Sequence, residues 1–350
     1  MVSRKSAGKT PAKSEPVRAN GHGNGEAAGL DLGTSTVVTA RKNGGGFRST
    51  AELNAFIDLP PSRFTEQILD QNDIDYVHEG RRIVVYGNGA AKFANMFNAE
   101  TRRPMRHGLV NATEPHAQKL LKVIVKKLLG KNSKGSLVCF SVPGAPLSAP
   151  TSLVYHEALM KQMLESLGYE ARSINEGLAV VFSELEKENF SGIGISFGGG
   201  LTNVALAYLS VPVFAFAIEK GGDDIDEAVG KVTGETATRV RTIKEEGLDL
   251  NRRARSKIEG ALHIYYQDLI NTVVEGIEDA LAHTERMPKL DSPLPVVLAG
   301  GSALPKGFKL KFERALMAQK LPIPLAGVRM GKEPLTATAR GALLAALYEN

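Results

Sequence analysis

Asp31-Leu-Gly-Thr-Ser-Thr36 and Ser196-Phe-Gly-Gly-Gly-Leu-Thr-Asn203 each follow an apolar stretch and run straight into β-branched residues. The layout predicts two β-hairpins whose tips can close on a phosphate chain from both sides. Glycine at such a tip lets backbone N–H groups approach phosphate oxygens with no Cβ in the way, and neighbouring hydroxyls add donors. One glycine hairpin alone signals only a tight bend. Two of them, with a third glycine turn at Ala299-Gly-Gly-Ser302, make a nucleotide the leading explanation.

Around these turns the pattern is α/β. Gly29 to about Phe47 reads as a hairpin turning at Asn43-Gly-Gly-Gly46, and Arg82–Tyr86 as a short strand. Glu114 to Leu129 is helical, with Leu120, Leu121, Ile124, Val125 and Leu128 on one stripe and Lys119, Lys122, Lys126 and Lys127 on a solvated face. Leu137–Val142 is a buried strand and Ser152–Leu167 a helix ended by Gly168. A second unit repeats the order: a helix at 175–184, a hairpin from Gly192 to Leu209, and helices from Asp223, Thr236 and about Ala254. The strand Pro295–Ala299 and a last helix, Thr336–Tyr348, complete it. Hairpin, strand, helix, strand, helix, run twice, predicts a duplicated core.

Composition sets the bounds. A chain of 350 residues is long enough for two cores, and 43% hydrophobic with 23% charged residues is the balance of a globular protein. Cys139, the single cysteine, excludes an internal disulfide and lies in an apolar run, which makes it a structural thiol. The seven histidines show no ligand spacing, so no structural zinc is expected. Net charge is +5, of which residues 1–28 carry a surplus of three, leaving a weak nucleic-acid footprint elsewhere. Residues 1–28 read as a disordered basic tail, neither a signal peptide nor an amphipathic anchor. No run approaches the roughly 18 apolar residues of a membrane span. A cytoplasmic protein without nucleic-acid partners or direct membrane insertion is expected.

With these residues in view, the chain resembles the actin-like ATPase superfamily, most closely bacterial actins of the MreB and MamK type. Asp31–Thr36 is similar to the first phosphate loop and Ser196–Asn203 to the second. Asn175-Glu-Gly-Leu-Ala179 and Ala337-Thr-Ala-Arg-Gly-Ala342 resemble the two connecting helices, Arg241-Thr-Ile-Lys-Glu245 the ribose and adenine helix, and Ala299-Gly-Gly-Ser-Ala303 the adenosine motif. Arg103-Pro-Met-Arg-His-Gly-Leu-Val110 and 333–341 point to MreB-like proteins in particular. The resemblance implies a two-lobed actin-like fold, two ribonuclease-H-like domains around a nucleotide cleft. Lobe I would hold residues 29–172 and 334–350, and lobe II residues 173–333.

It also implies roles. Asp31 would hold Mg²⁺ through water, since that ion prefers oxygen ligands and keeps its hydration. Gly33, Thr34, Ser35 and Thr36, with Ser196, Gly198, Gly199, Gly200, Leu201 and Thr202, would cradle the phosphates of ATP. Lys244 and Glu245 would meet ribose and base, and Gly300, Gly301 and Ser302 would line the adenine face. Small residues at 176–178 and 340–342 would let two helices cross closely, as a hinge between lobes.

The chain departs from the family pattern where chemistry is done. Ser196 and Asn203 stand where the second phosphate loop has carboxylates, and 144–155 offers only Ser148, Thr151 and Ser152, with His156 and Glu157 beyond, where a water-orienting Gln or Glu is usual. A positioned base contributes about 10²–10⁴-fold, so nucleotide binding with slow or absent hydrolysis is expected. The 130–135 loop is polar, against membrane binding, and 246–260 is too short for the small subdomain of relatives. The implied function is a cytoskeletal protein that binds ATP and Mg²⁺, assembles head-to-tail into filaments with itself, and meets protein adaptors. The alternative is a non-polymerising scaffold of the same fold. No acceptor-binding insertion supports a small-molecule kinase.

Overall fold

The computed structural model describes residues 27–96, 100–130, 135–147 and 153–348. The basic tail to residue 26, residues 131–134 of the polar loop, and Ser148, Thr151 and Ser152 lie outside the described residues. The first half opens with a meander, β1 (Ala28–Leu32), β2 (Thr36–Asn43) and β3 (Gly46–Leu53). A small sheet follows, β4 (Phe56–Leu59), β5 (Tyr76–Glu79) and β6 (Arg82–Tyr86), carrying α1 (Arg63–Gln71) and α2 (Asn88–Met96). Then come the short hairpin β7 (Met105–Arg106) and β8 (Leu109–Val110), α3 (Ala117–Leu129), β9 (Leu137–Val142), α4 (Val154–Ser166), β10 (Glu170–Asn175) and α5 (Glu176–Glu184). The second half runs β11 (Gly192–Phe197), β12 (Thr202–Tyr208), β13 (Val211–Ile218), α6 (Gly222–Thr233), α7 (Ala237–Gly247), α8 (Lys257–Ala282), β14 (Leu294–Ala299), α9 (Phe308–Met317), β15 (Leu325–Met330) and α10 (Ala337–Tyr348).

Two five-stranded sheets share one topology. Their orders are β10-β9-β1-β2-β3 and β15-β14-β11-β12-β13. In each, the meander pairs antiparallel and the last two strands add parallel to its first strand. The duplication expected from the sequence is therefore present in the fold. Strands β9 and β11 are buried along nearly their whole length, as strands covered on both faces must be. The second core closes on a cluster of rings, with Phe197 meeting Phe308 edge-on at 4.9 Å.

The connecting helices exchange sheets. α5 follows β10 of the first sheet yet packs on β11 and β12 of the second, and α10 follows β15 yet packs on β1 and β9. The two helices cross between the sheets, where a Cβ on Gly341 would fall 1.8 Å from the carbonyl oxygen of Ala179. Gly29 of β1 is tied to α10 in the same way, 2.0 Å from the Ala339 oxygen. Only hydrogen fits at either position.

Local chemistry explains the boundaries. Asn175 caps α5, its Oδ1 accepting the Leu178 N–H at 3.2 Å, and Thr236 and Ser256 cap α7 and α8 similarly. The lysine face of α3 is not wholly solvated. Lys127 pairs with the buried Glu52 and, at 2.6 Å, with Asp75, and Lys119 pairs with Glu79. Those acids come from β3 and from the small sheet and its approach, which α3 thereby fastens to the first sheet.

Candidate nucleotide site

β1 and β11 end side by side at the cleft between the sheets, so the turns that follow them face one another. A Cβ on Gly199 would lie 2.1 Å from Ser35 Oγ, and one on Gly200 2.5 Å from Thr34 Oγ1. The tips thus meet with backbone against hydroxyl. Gly198 N–H closes the second turn on the Leu201 carbonyl at 2.9 Å, and Ser302 Oγ of the third glycine turn donates to the Gly198 carbonyl at 2.8 Å. The start of α6 is fastened to the same loop, since Gly222 and Asp223 donate to the carbonyls of Gly198 and Gly199 at 3.0 and 2.8 Å.

A cavity of about 710 Å³ opens beside the tips. Its walls include Asp31, Gly33, Thr34, Ser35, Thr36, Ser196, Gly198, Gly199, Gly200 and Leu201. Lys244, Glu245, Gly300, Gly301 and Ser302 line it as well. The structure therefore brings together every residue singled out from the sequence except Thr202, which is buried with its hydroxyl bonded to the Lys220 carbonyl at 3.0 Å. Thr202 supports the loop from behind. Lys244 reaches Asp226 at 2.7 Å and the Gly222 carbonyl at 3.0 Å, so it also ties α7 to α6.

The floor holds a carboxylate the sequence reading placed only at a helix crossing. Glu176, at the start of α5, is buried beside Asp31 at the cavity wall. Burial raises both carboxyls above their ordinary 3.8 and 4.5, Asp31 to about 6 and, with Asp31's charge added, Glu176 to about 8. Hydrogen bonds offset part of the rise: Ser141 Oγ donates to Asp31 at 2.8 Å and Asn203 Nδ2 to Glu176 at 2.8 Å. Asn203 also accepts the Gly144 N–H at 2.8 Å. The Asn203 amide thus holds Glu176 and the Gly144 backbone together.

Two neighbouring carboxylates in a cavity wall, one held by a hydroxyl and the other by an amide, form a hard-oxygen donor set that fits Mg²⁺. A divalent ion there would offset both the burial that favours the protonated forms and the repulsion of Glu176 by Asp31. Among the described residues no group of three or more His, Cys, Asp or Glu gathers to hold a metal on its own, so the remaining ligands would be water and substrate oxygens.

A family model, Volactin, matches residues 27–346. The chain belongs to the Volactin family. The cell shape-determining protein MreB of Escherichia coli K12 is 27% identical over 277 residues, covering 70% of this chain and 75% of that protein. MreB of Pasteurella multocida is 26% identical over 273 residues, 68% of this chain and 73% of its own. The structure is similar to a MamK double helical filament subunit, with a TM-score of 0.66, 18% identity and coverage of 93% of this chain and 99% of that one. It is also similar to the ethanolamine utilization protein EutJ of Carboxydothermus hydrogenoformans, at a TM-score of 0.54, 18% identity and coverage of 93% and 91%. A non-polymerising MamK variant bound to AMPPNP matches at a TM-score of 0.55, 19% identity and coverage of 93% and 99%. The expected actin-like fold and the MreB/MamK-type kinship are thus both found. Among the described residues no helix of this Volactin family member is long and apolar enough to cross a membrane.

Proposed function

We propose that the cleft binds ATP with Mg²⁺ and that the bound nucleotide governs head-to-tail assembly of the chain into cytoskeletal filaments. The observation that carries this reading is the meeting of the two glycine turns beside a cavity that also holds the third. Amides at 33–35 and 198–200 would receive the phosphates, Gly300–Ser302 the flat base, and Lys244 and Glu245 the ribose side. Asp31 and Glu176 would hold the hydrated Mg²⁺, which would neutralise charge on the phosphate oxygens. Relatives that form filaments, MamK among them, support self-association.

Hydrolysis would be slow. Ser196 lends no charge to the metal, and the Asn203 amide is spent between Glu176 and Gly144. We place the protein in the cytoplasm, meeting protein adaptors rather than nucleic acid or lipid. One observation favours a scaffold that does not polymerise: no strand lies between α7 and α8, where 248–256 form a short connection. Sedimentation with ATP, ADP or no nucleotide, followed by negative-stain imaging, decides. ATP-dependent pelleting of long protofilaments supports the filament reading, and tight ATP binding without pelleting supports the scaffold. Failure to bind ATP in excess magnesium rejects both.

A further inference from the structure

We propose that Arg103 and Arg241 form a subsite for the terminal phosphate of the nucleotide, and that the Asp223 carboxylate is a place-holder which this phosphate displaces. The proposal rests on the nucleotide reading above and assigns to it residues outside the three glycine turns.

Asp223 sits where the two turns meet. Its carboxylate accepts Ser35 Oγ at 3.0 and 3.1 Å, and it pairs with Arg103 at 3.3 Å and with Arg241. Its Oδ2 would be 3.2 Å from a Cβ on Gly199. A serine hydroxyl and two guanidinium groups converging on one anion beside glycine amides form a donor set suited to a phosphoryl group. A carboxylate offers two oxygens and one charge to these donors, whereas a terminal phosphoryl offers three oxygens and more charge.

Neither arginine depends on Asp223 for its place. Arg103 also donates to the carbonyls of Ser35 and Asn54 at 3.0 and 3.3 Å, and Arg241 reaches Asp226 at 3.3 Å. With the carboxylate withdrawn, both guanidinium groups remain anchored, Arg241 on the wall of the nucleotide cavity and Arg103 behind that wall, which is the preorganisation an anion site needs. Lys244, paired with Asp226 at 2.7 Å, adds a third cation to the same wall.

There is also somewhere for the wall to give. A second cavity of about 640 Å³ lies behind it, and Thr34, Gly200, Asp223 and Arg241 line both cavities. Releasing Ser35 from Asp223 would join the two spaces at the tips of the turns, where a terminal phosphate would enter. Because Arg103 comes from the first half and Arg241 from the second, a phosphate held by both would replace one bond between the halves with another.

The test is calorimetric titration of the full chain with Mg²⁺ and either AMPPNP or ADP, for the wild type, Arg241→Gln and Asp223→Asn. Arg241→Gln should weaken AMPPNP binding roughly 10-fold or more, the range of a lost charge-assisted hydrogen bond, and ADP binding by less than about 3-fold. Asp223→Asn should tighten AMPPNP binding by about 3-fold or more, because the competing charge is gone while the side-chain shape is kept. That opposite sign cannot come from misfolding, and ADP binding reports on the fold of each variant. Asp223→Asn weakening AMPPNP, or Arg241→Gln weakening both nucleotides equally, would overturn the proposal. If the wild type binds neither nucleotide, the cleft is not a nucleotide site and the subsite falls with it.

Discussion

Glu176→Gln should make the protein more stable at high pH and flatten its stability profile. An unfolded Glu176 titrates near 4.5, whereas the folded one holds its proton to about 8. Between those values the native state binds a proton that the unfolded chain gives up, so stability falls as pH rises and levels off above the folded value. At about 1.4 kcal/mol per pH unit, the stretch from pH 6 to 8 makes this carboxyl's loss about 2–3 kcal/mol. Asp31, raised to about 6, has lost most of its share before that stretch begins. Glutamine keeps the oxygen that accepts from Asn203 and cannot ionise, so the variant should lose about 2–3 kcal/mol less than the wild type there, while Asp226, raised to about 7, contributes alike to both. An unfolding entropy of about 2.1 cal/mol/K per residue, over 350 residues, gives roughly 1.4 °C per kcal/mol. Thermal denaturation without nucleotide or Mg²⁺ should therefore show the wild type falling about 3–4 °C further than the variant between pH 6 and 9. Parallel Tm profiles would refute the claim that Glu176 is buried beside a second carboxyl.

The same pair makes metal binding proton-linked. Affinity for Mg²⁺ with ATP should rise between pH 6.5 and 8.5, with proton release visible as a dependence of calorimetric heat on the buffer; an affinity that falls with pH would place the metal elsewhere. Gly341→Ala should cost roughly 1–3 kcal/mol in urea denaturation, because a Cβ 1.8 Å from the Ala179 oxygen forces α5 and α10 apart. The gain in helix propensity, about 1 kcal/mol, is too small to offset it, and a neutral result would show that the crossing is loose. Lys127→Met should destabilise by about 1–3 kcal/mol by leaving Glu52 buried without its cation. Adding Glu52→Gln should recover much of the loss; no recovery would mean that packing, not charge, is the role of Lys127.

Much of the fold could be read from the chain because its deciding elements are local. β1, β9, β11, β12 and β14 are apolar runs with a glycine turn on at least one side, and α3 carries a stripe with every fourth or third residue buried, whereas β3 is mostly exposed and polar. β10 and β15 lacked that signal. Both lie at sheet edges, where only alternate or isolated residues are buried, as in Glu170-Ala-Arg-Ser-Ile-Asn175, and no apolar run marks them. α9 had a usable one, Phe308, Phe312 and Leu316 at fourfold spacing, all buried against the second sheet. α1 and α2 decorate the small sheet and bury too few residues to stand out.

The site divides the same way. Its glycine turns are short-range features, legible because a backbone that must approach another group closely needs residues without a Cβ. Glu176 and Asp223 are long-range features. Glu176 reaches the cavity only because β10 ends in the first sheet while α5 packs on the second, so the helix must start at the boundary and its first side chain falls beside β1. Asp223 looks like an ordinary acid in a first helical turn, and its neighbour Asp224 does play that part by accepting the Gly221 N–H at 2.8 Å. What sets Asp223 apart is a serine 188 positions earlier in the chain and an arginine 120 positions earlier, both brought to it by the meeting of the two halves. A duplicated fold with exchanged connecting helices creates such contacts at its seam, and no short window of sequence contains them.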